Sequence, residues 1–487
     1  MRAGWWCGTF FAFHAVAACS RTGVWFCPDT DDCNFERGAA AGTTPSAGGT
    51  HGGATNGGAT NGGATGGTRG GAAGVSSGGG TTDPCKDVAC YEPPRPSCSG
   101  DSLIDPFGPG TCQRGSCQFG ATTSPCPYGC ETDHCRKADE VVQISAGGDH
   151  TCARLARGVA MCWGSNSVGE LGTGNTAPSL PPTLVLGLSD LVDVSSGRAH
   201  SCAVRADGTA YCWGFNRHGR LGDGSSTPLR PAPVAVVGLA DATRISAAGQ
   251  HSCALRASGD VVCWGNNLEG ALGDGSGLTS SVPLAVVGIR GASGLDATGE
   301  VSIFGHSCAM AGGRVACWGF NGHGELATGD FETRNTASYV PGLSGVAGVA
   351  LGAFRSAAFT NSGSVLRWGG DWLTQGHETS PVPFDGVSSV IGLSLGDEHG
   401  CALERSGKAR CWGANSNGVL GDGSTVDSAT PVEVVGLTEA REISAGSHHS
   451  CARVRDGAVY CWGDNANGAL GHPGIEASST PLAVPGL

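Results

Sequence analysis

The amino-acid sequence predicts an all-β fold made of seven copies of one unit. Each copy contains a Trp-Gly pair, and these tryptophans recur about every fifty residues through the last two thirds of the chain. They are Trp163, Trp213, Trp264, Trp318, Trp368, Trp412 and Trp462. Each copy consists of short β-prone runs separated by turn residues, and its apolar residues do not recur at helical spacing. A repeat of this length and content is typical of propeller blades, so we expect a seven-bladed β-propeller.

Each copy is expected to contribute four antiparallel strands. In the first copy these strands are predicted at residues 141–145, 151–155, 159–163 and 183–186. The turn between the second and third strands ends in Gly158, because a three-residue hairpin loop needs a left-handed residue there. The fourth copy is one residue shorter and carries Gly312-Gly313, which favours a two-residue turn.

The register of these turns predicts six disulfides, each within one blade. Directly opposed residues of antiparallel strands have Cα atoms about 4.5–5.5 Å apart, which is within disulfide range. The predicted pairs are Cys152–Cys162, Cys202–Cys212, Cys253–Cys263, Cys308–Cys317, Cys401–Cys411 and Cys451–Cys461. The fifth copy has Ala357 and Arg367 instead, so both cysteines are missing together, as expected of a bonded pair. Regularly spaced cysteines, 24 in the whole chain, indicate an oxidising compartment.

The N-terminal residues predict export. Residues 1–19 are expected to form a signal peptide, in which Arg2 precedes an apolar run too short to span a bilayer. The sequence Val16-Ala17-Ala18-Cys19 is similar to the lipobox of bacterial lipoproteins, which implies that Cys19 is lipidated. An ordinary cleaved signal peptide, with Cys19 incidental, is the alternative. We expect a lipid-anchored protein of the outer membrane or cell surface, or otherwise a secreted or periplasmic one.

Three segments separate the signal peptide from the repeats. Residues 20–37 are a short cysteine-containing segment, and residues 38–82 are a Gly/Ala/Thr-rich run that is expected to act as a disordered tether. Residues 83–137 contain eight cysteines and predict a small disulfide-rich module, whose pairing the sequence leaves open. Zinc binding around Cys126 and Cys130 is a rival interpretation that export disfavours. Residues 138–487 hold the predicted propeller.

The closing part of the unit resembles a known repeat family. The run from Trp163 to Gly172 matches W-G-x-N-x-x-G-x-L-G, the signature of the regulator of chromosome condensation repeat, and four more copies match it. The resemblance covers residues 140–487 and implies a seven-bladed propeller. The founding member of the family is a guanine-nucleotide exchange factor. Exchange activity is not expected here, because an exported protein would not meet a cytoplasmic or nuclear GTPase and because fold does not fix activity.

Six histidines recur once per copy and are interpreted as structural. They are His150, His200, His251, His306, His399 and His449. Metal ligands must converge on one ion, whereas residues at one equivalent position per blade are spread around a ring. The fifth copy has Arg355 at this position and also lacks the cysteines, so the histidine is expected to pack against the disulfide. No metal or cofactor is predicted.

The candidate binding residues are those that the repeat does not explain. They are Trp372, His218, His323, Phe331 and His377, and they fall in or near loops, where propellers recognise partners. No catalytic triad, phosphate loop or metal-binding His pair is found, so no catalysis is expected. The net charge of -13 argues against nucleic acid as a partner.

The sequence therefore favours a surface-tethered module that binds a protein or glycan ligand at one propeller face. An enzyme acting on extracellular polysaccharide is the first alternative, and it would need carboxylates with perturbed pKa values gathered on one face. An inhibitor of a secreted enzyme is the second, and it would need an exposed aromatic patch.

Overall fold

The computed structural model describes residues 139–299, 304–370 and 376–487, together with shorter stretches between residues 94 and 137. The predicted signal peptide with Cys19, the segment 20–37 and the tether 38–82 lie outside the described residues. In the described part of the chain, no helix has the length and apolarity needed to cross a membrane.

The described residues of the repeat region form seven four-stranded antiparallel sheets, each with its strands in sequence order. This confirms the all-β propeller that the repeats predict. From innermost to outermost strand, the blades are Val141–Ala146, His150–Leu155, Ala160–Gly164 and Ser179–Leu184 (blade 1); Leu191–Ser196, His200–Arg205, Ala210–Phe215 and Leu229–Ala235 (blade 2); Ala242–Ala247, His251–Arg256, Val261–Gly265 and Ser280–Ala285 (blade 3); Ala292–Gly299, Gly305–Ala311, Arg314–Gly319 and Arg334–Tyr339 (blade 4); Val346–Gly352, Arg355–Thr360, Val365–Gly370 and His377–Phe384 (blade 5); Val390–Leu395, His399–Glu404, Ala409–Gly413 and Ser428–Glu433 (blade 6); and Ala440–Ala445, His449–Val454, Val459–Asp464 and Ala477–Ala483 (blade 7). A short 3-10 helix, Arg217–Gly219, follows the third strand of blade 2.

The cysteine-rich module also contains strands. Ser97–Ser99, Ser102–Gln113 and Ser116–Pro125 form a three-stranded sheet, and Cys130–Glu131 pairs with His134–Cys135. Cys98, Cys112 and Cys117 are disulfide-bonded. At least three of the eight cysteines from which this module is predicted therefore form disulfides.

The outermost strands begin earlier than the sequence pattern predicts. In blade 1 the strand runs from Ser179 to Leu184, whereas residues 183–186 were expected. Prolines within these strands explain the difference, because proline is otherwise a signal for a turn. Six outermost strands have a proline at the same position, namely Pro182, Pro233, Pro283, Pro381, Pro431 and Pro481. Proline lacks an N–H and is tolerated on an edge strand. Blade 4 has Ala337 there, and its N–H is bonded to the carbonyl of Val287 in blade 3 at 2.8 Å, so that this edge position is satisfied too.

All six predicted intra-blade disulfides are present. The paired cysteines have Cα atoms 4.0–4.1 Å apart, and their side chains are fully buried. In blade 5, Ala357 lies opposite Arg367, whose guanidinium lies 5.8 Å from the centre of the Phe384 ring. Blade 5 is therefore held by packing and strand pairing, without a covalent bridge between its second and third strands.

Neighbouring blades are joined by a repeated hydrogen-bond network. At six junctions the histidine Nε2 lies 2.8–2.9 Å from a hydroxyl of the next blade, in the pairs His150–Ser201, His200–Ser252, His251–Ser307, His306–Ser356, His399–Ser450 and His449–Thr151. The hydroxyl donates to a main-chain carbonyl of the preceding blade, as Ser201 does to Glu170 at 3.0 Å, and Trp213 Nε1 donates to the same oxygen at 2.7 Å. Because the hydroxyl has one hydrogen, the imidazole must donate through Nε2.

This network adds a contact that the sequence does not predict. The recurring histidines are buried structural residues, and each bonds a hydroxyl of the next blade. That hydroxyl lies beside the disulfide of the histidine's own blade, as Ser201 Oγ does at 3.8 Å from Cys152 Sγ. The sequence pattern places histidine and disulfide in the same copy, whereas the bond that the histidine makes crosses between copies about fifty residues apart.

The ring closes between blade 7 and blade 1 by the same kind of contacts. His449 bonds Thr151 at 2.8 Å, the N–H of Ala146 donates to Ser444 Oγ at 2.9 Å, and Ser447 N–H donates to the Gly147 carbonyl at 3.0 Å. Among the described strands, none from one end of the repeat region completes a sheet at the other end. Closure of the ring therefore depends on these contacts between whole blades.

Candidate functional site

One face of the propeller gathers the candidate binding residues, and we call it the upper face. It carries the loops from the first to the second strand and from the third to the fourth strand of each blade. The two sets of loops meet because His150 pairs with Gly164 and Ser165 N–H donates to Asp149 O at 2.9 Å. His218, His323, Phe331 and His377 lie on this face, and Trp372 lies outside the described residues.

The structure brings three of these residues together with three phenylalanines. We call this group the aromatic cluster; it consists of Phe304, Phe320, His323, Phe331, Phe354 and His377. The ring centroids are separated by 4.5 Å (Phe304–Phe320), 5.8 Å (Phe320–His323), 4.8 Å (His323–Phe354), 5.0 Å (His323–His377) and 6.3 Å (Phe331–His377). The cluster joins the loops of blade 4 to those of blade 5.

The aromatic cluster is partly exposed. Phe331 is 52% exposed. Among the described residues, the other large hydrophobic side chains that are more than a third exposed are all aliphatic. His377 is also exposed, and the other four rings are half-buried. Aromatic rings that are held by neighbours and still open to solvent are typical anchors of protein interfaces.

A buried carboxylate holds His323 in place. Glu325 is fully buried; its Oε2 accepts the His323 main-chain N–H at 2.9 Å, and its Oε1 lies 3.1 Å from His323 Nδ1. A carboxylate oxygen accepts, so Nδ1 donates this bond. The main-chain oxygen of Glu325 also accepts Trp368 Nε1 at 2.7 Å and Ser356 Oγ at 2.9 Å, both from blade 5. The cluster is thus fixed to the network that joins blades 4 and 5.

His218 lies away from the cluster, in the corresponding loop of blade 2. Its φ is 61°, in the left-handed region, and burial together with Arg220 and Arg217 lowers its pKa. Arg220 occupies the position that Glu325 has in blade 4 and is 3% exposed. Its Nη1 donates to the Gly249 carbonyl at 2.6 Å, and burial lowers its pKa to about 9. Blades 2 and 4 therefore place opposite charges beneath the equivalent histidine.

The central cavity is lined by the first strands of all seven blades. Near the upper face, Arg198 Nη1 of blade 2 lies 2.6 Å from Asp397 Oδ2 of blade 6, and Arg355 Nη2 of blade 5 donates to the Asp397 carbonyl at 2.5 Å. These side chains come from three blades and converge over the end of the cavity.

Three carboxyl groups of the first strands have raised pKa values, and burial is the main cause. The pKa of Asp296 is raised to about 6 and that of Glu442 to about 7, and the pKa of Asp193 is also raised. They belong to three different blades, and each accepts a main-chain N–H of the next blade, from Leu351, Ile144 and Ile245 respectively. These three carboxyl groups therefore link neighbouring blades. Among the described residues, no group of three or more His, Cys, Asp or Glu side chains could hold a metal ion.

Sequence reasoning missed the three phenylalanines of the cluster. The ring of Phe354 lies against His323 on the upper face, because Phe354 belongs to the loop before the second strand of blade 5. The signal was available by comparing copies: the position of Phe354 is Asp149 in blade 1 and Ala199 in blade 2. A large apolar residue at a position that is polar or small elsewhere indicates a feature specific to one blade.

Comparison with known proteins identifies the repeat. A model of the Regulator of chromosome condensation (RCC1) repeat matches residues 141–170, 191–220, 242–271, 390–419 and 440–469, and a second model of this repeat matches residues 158–204, 207–255, 406–453 and 456–487. The chain carries RCC1 repeats. The matched ranges leave out residues 272–389, which contain the aromatic cluster, so that the RCC1 pattern is weakest where the candidate site lies.

The similar curated proteins share only part of their length with this chain. Human E3 ubiquitin-protein ligase HERC2 is 31% identical over 244 residues, which cover 49% of this chain and 4% of the ligase. The mitochondrial RCC1 domain-containing protein RUG3 of Arabidopsis thaliana is 29% identical over 129 residues, covering 26% of this chain and 28% of RUG3. The chain thus spans well under half of these relatives.

Two solved structures share the fold of this chain. Yeast RCC1 (Prp20), crystallised with Kap60, superposes with a TM-score of 0.58 at 21% identity, covering 71% of this chain and 85% of that one. Human WBSCR16 gives a TM-score of 0.57 at 20% identity, covering 67% of this chain and 94% of that one. These identities establish a common fold, and the site must be argued from its own residues.

Proposed function

We propose that this chain is an exported, surface-tethered RCC1-repeat propeller that binds another protein through the aromatic cluster and has no catalytic activity of its own. The observation that carries the proposal is the cluster itself. The recurring Trp, His and Cys side chains are buried and engaged within or between blades, whereas Phe331 and His377 are exposed and specific to blades 4 and 5. Partly exposed aromatic residues on a rigid scaffold are the side chains that dominate protein interfaces.

Relatives with this fold support protein binding. Yeast RCC1 (Prp20) has been crystallised bound to Kap60, and Prp20p of Saccharomyces cerevisiae has binding properties to Gsp1p and histones. These partners belong to the yeast protein. They support the general use of an RCC1 propeller as a protein-binding surface, which the cluster would adapt to a partner outside the cell.

The arrangement of the rings favours a protein over a glycan. A sugar ring stacks on a flat, open aromatic face, whereas neighbouring rings of the cluster are tilted by 42–86° relative to one another. Tilted and edge-to-face pairs surround an inserted side chain more readily than they form a platform. The proposed partner therefore presents an apolar or aromatic side chain to the cluster.

A matched pair of variants tests the cluster. The full chain, purified under oxidising conditions, would be used to capture partners from native cell envelope, and affinity would then be measured for the captured protein. Phe331→Ala is expected to weaken binding by roughly 30-fold or more if Phe331 is an interface hot spot. Val426→Ala is the control, because Val426 is 70% exposed in the corresponding loop of blade 6. Equal affinity of both variants and the wild type would refute the cluster as the binding site.

Two further outcomes would replace the proposal by another function. Binding to a glycan array that Phe331→Ala abolishes would assign the cluster to a glycan ligand. Turnover on a broad hydrolase panel that His323→Ala abolishes would make the protein an enzyme, because His323 with Glu325 is the His–carboxylate contact of the cluster.

The export part of the proposal rests on different residues and has its own test. The six buried disulfides are typical of an oxidising compartment. The lipobox-like sequence before Cys19 favours an anchor at the end of the tether. Cys19→Ala should move the protein from the membrane fraction to the soluble fraction. If the wild type is itself soluble, the anchor is excluded, and the protein-binding proposal is unaffected.

A further inference from the structure

The junction between blades 5 and 6 differs from the other six junctions. At those six, a buried histidine bonds a hydroxyl of the next blade. Here Arg355 stands where the histidine would be, and Gly400 stands where the Ser or Thr would be. The histidine and the hydroxyl are thus missing together.

The space for the missing hydroxyl is filled. A Cβ on Gly400 would lie 2.6 Å from Leu395 Cδ2 and 2.8 Å from Trp412 Cζ2. Trp412 is 8% exposed, while the other six repeat tryptophans are at most 2% exposed. The indole of blade 6 has therefore taken the position of the lost side chain, and the junction is repacked.

A second set of bonds is interrupted at the same place. In the first strands, a side-chain oxygen of one blade accepts a main-chain N–H of the next at 2.8–3.0 Å, in the pairs Ser145–Ser196, Ser195–Ala247, Ser246–Ala297, Asp296–Leu351, Ser394–Ala445 and Ser444–Ala146. Blade 5 has Ala350 at this position, which offers no oxygen to Leu395 of blade 6. The side-chain bonds that join first strands are therefore present at six junctions and missing here.

Other contacts replace these bonds. The half-exposed guanidinium of Arg355 donates to the Asp397 carbonyl, and the rings of Phe384 and Trp412 pack at a centroid distance of 4.7 Å. The first strands of blades 5 and 6 still lie side by side. The junction is closed, but among the described residues it lacks the two kinds of buried hydrogen bond that would have to break for blades to separate elsewhere.

We infer that the ring opens first between blades 5 and 6, and not between blades 7 and 1, where the two ends of the repeat region meet. Local opening starts where stabilising contacts are few. Among the described residues, this boundary lacks both kinds of bond that the other six have. The junction of blades 7 and 1 has both sets of bonds, through His449 with Thr151 and Ser444 with Ala146. Opening at the weak junction uncovers Phe384 and Trp412. This inference concerns the ring itself and is independent of the proposed partner.

Native-state hydrogen exchange of the full chain, with its disulfides intact, tests the inference. The decisive segment is Val390–Leu395, since blade 6 has its own disulfide and fast exchange there reports the junction rather than a missing bridge. It is expected to exchange about tenfold faster than the equivalent segments Leu191–Ser196 and Ala440–Ala445, in line with the loss of one or two buried hydrogen bonds. Equal rates in the three segments would overturn the inference.

Two single-atom variants make the test reciprocal. Ala350→Ser restores the missing oxygen opposite the Leu395 N–H and should slow exchange in Val390–Leu395 several-fold. Ser394→Ala removes the equivalent oxygen at the junction of blades 6 and 7 and should speed exchange in Ala440–Ala445. If Ala350→Ser fails to fold, the Ser394→Ala result and the wild-type comparison still decide, because an unchanged rate after Ser394→Ala would show that these bonds do not govern opening.

Discussion

Acidification from pH 7 to pH 5 is expected to destabilise the propeller strongly while its disulfides remain intact. Six buried histidines join the blades, and burial lowers the pKa of His150 and His251 to about 4 and that of His306, His399 and His449 to about 3. The pKa of His200 is also lowered by burial. The physical reason is that Nε2 already donates to a hydroxyl, and a proton on Nδ1 would have no acceptor: Nδ1 of His150, His200 and His306 is buried without a hydrogen-bond partner among the described residues.

The sign of the effect follows from the direction of the shifts. An unfolded histidine titrates near 6.5, so in the window from about 6.5 down to about 4 the unfolded chain binds protons that the folded chain does not. Stability is present above pH 6.5 and is lost as the pH falls through this window. At pH 5 each buried imidazole costs about 2 kcal/mol. The raised pKa values of Asp193, Asp296 and Glu442 oppose this, because the folded chain takes up protons at these groups first, but these groups are fewer than the histidines.

The measurement is the midpoint of thermal unfolding at pH 7, 6 and 5 in oxidising buffer, with a decrease on the order of 10 °C expected over the whole range. His306→Gln is the informative variant, since glutamine can donate to Ser356 without titrating. It should reduce the slope of unfolding free energy against pH by about one proton, or about 1.4 kcal/mol per pH unit. A midpoint that stays constant or rises between pH 7 and pH 5 would show that the histidines are not the acid-sensitive groups.

Removal of a single intra-blade disulfide is expected to cost up to about 3 kcal/mol, and reduction of all six bridges should unfold the propeller. Cys202–Cys212 closes a loop with a sequence separation of 10. In the chain-entropy model a loop of this size contributes up to roughly 2.5–3 kcal/mol by constraining the unfolded chain. The double variant Cys202→Ala with Cys212→Ala should show this loss in chemical denaturation, together with a smaller loss from the cavity left by two buried sulfurs.

Blade 5 offers the matched control. Ala357 and Arg367 are directly opposed in the same register as the cysteine pairs, so Ala357→Cys with Arg367→Cys should form a seventh bridge. This variant is expected to unfold at higher denaturant concentration than the wild type under oxidising conditions and to lose that advantage when reduced. If it is no more stable than the wild type when oxidised, packing of Arg367 over Phe384 contributes as much as a bridge would.

The blade architecture could be read from the sequence because it is encoded locally. Tight turns such as Gly312-Gly313 fix which residues of the second and third strands face one another, and this register placed Cys308 opposite Cys317. Cysteine is absent from positions 357 and 367 together, which indicated that these two positions interact. Only the outermost strands were misplaced. Prolines obscured where these strands begin, and an outermost strand pairs with one neighbouring strand rather than two, so fewer residues indicate its limits.

The candidate site was half visible in the sequence. His323, Phe331 and His377 stood out because the repeat gives no reason for them. Their convergence could not be seen in the sequence. The rings of His323 and His377 lie 5.0 Å apart because His323 belongs to the loop after the third strand of blade 4 and His377 begins the fourth strand of blade 5, which is a relation between copies. His218 looked equivalent in the sequence and lies in a loop of opposite charge, beside Arg220.

By itself, then, the sequence determined the all-β class, the seven copies, the six disulfides and the exceptional fifth copy, since each depends on residues within a few tens of positions. Only the tertiary structure decided what joins the copies: the bonds from His150 to Ser201 and its equivalents, the cluster across blades 4 and 5, and the junction where Arg355 and Gly400 leave those bonds unmade. The physical reason is that a closed ring sets each blade against a neighbour about fifty residues away. Periodicity in a sequence specifies the unit, while the pairing of side chains between units depends on the radial packing that closes the ring.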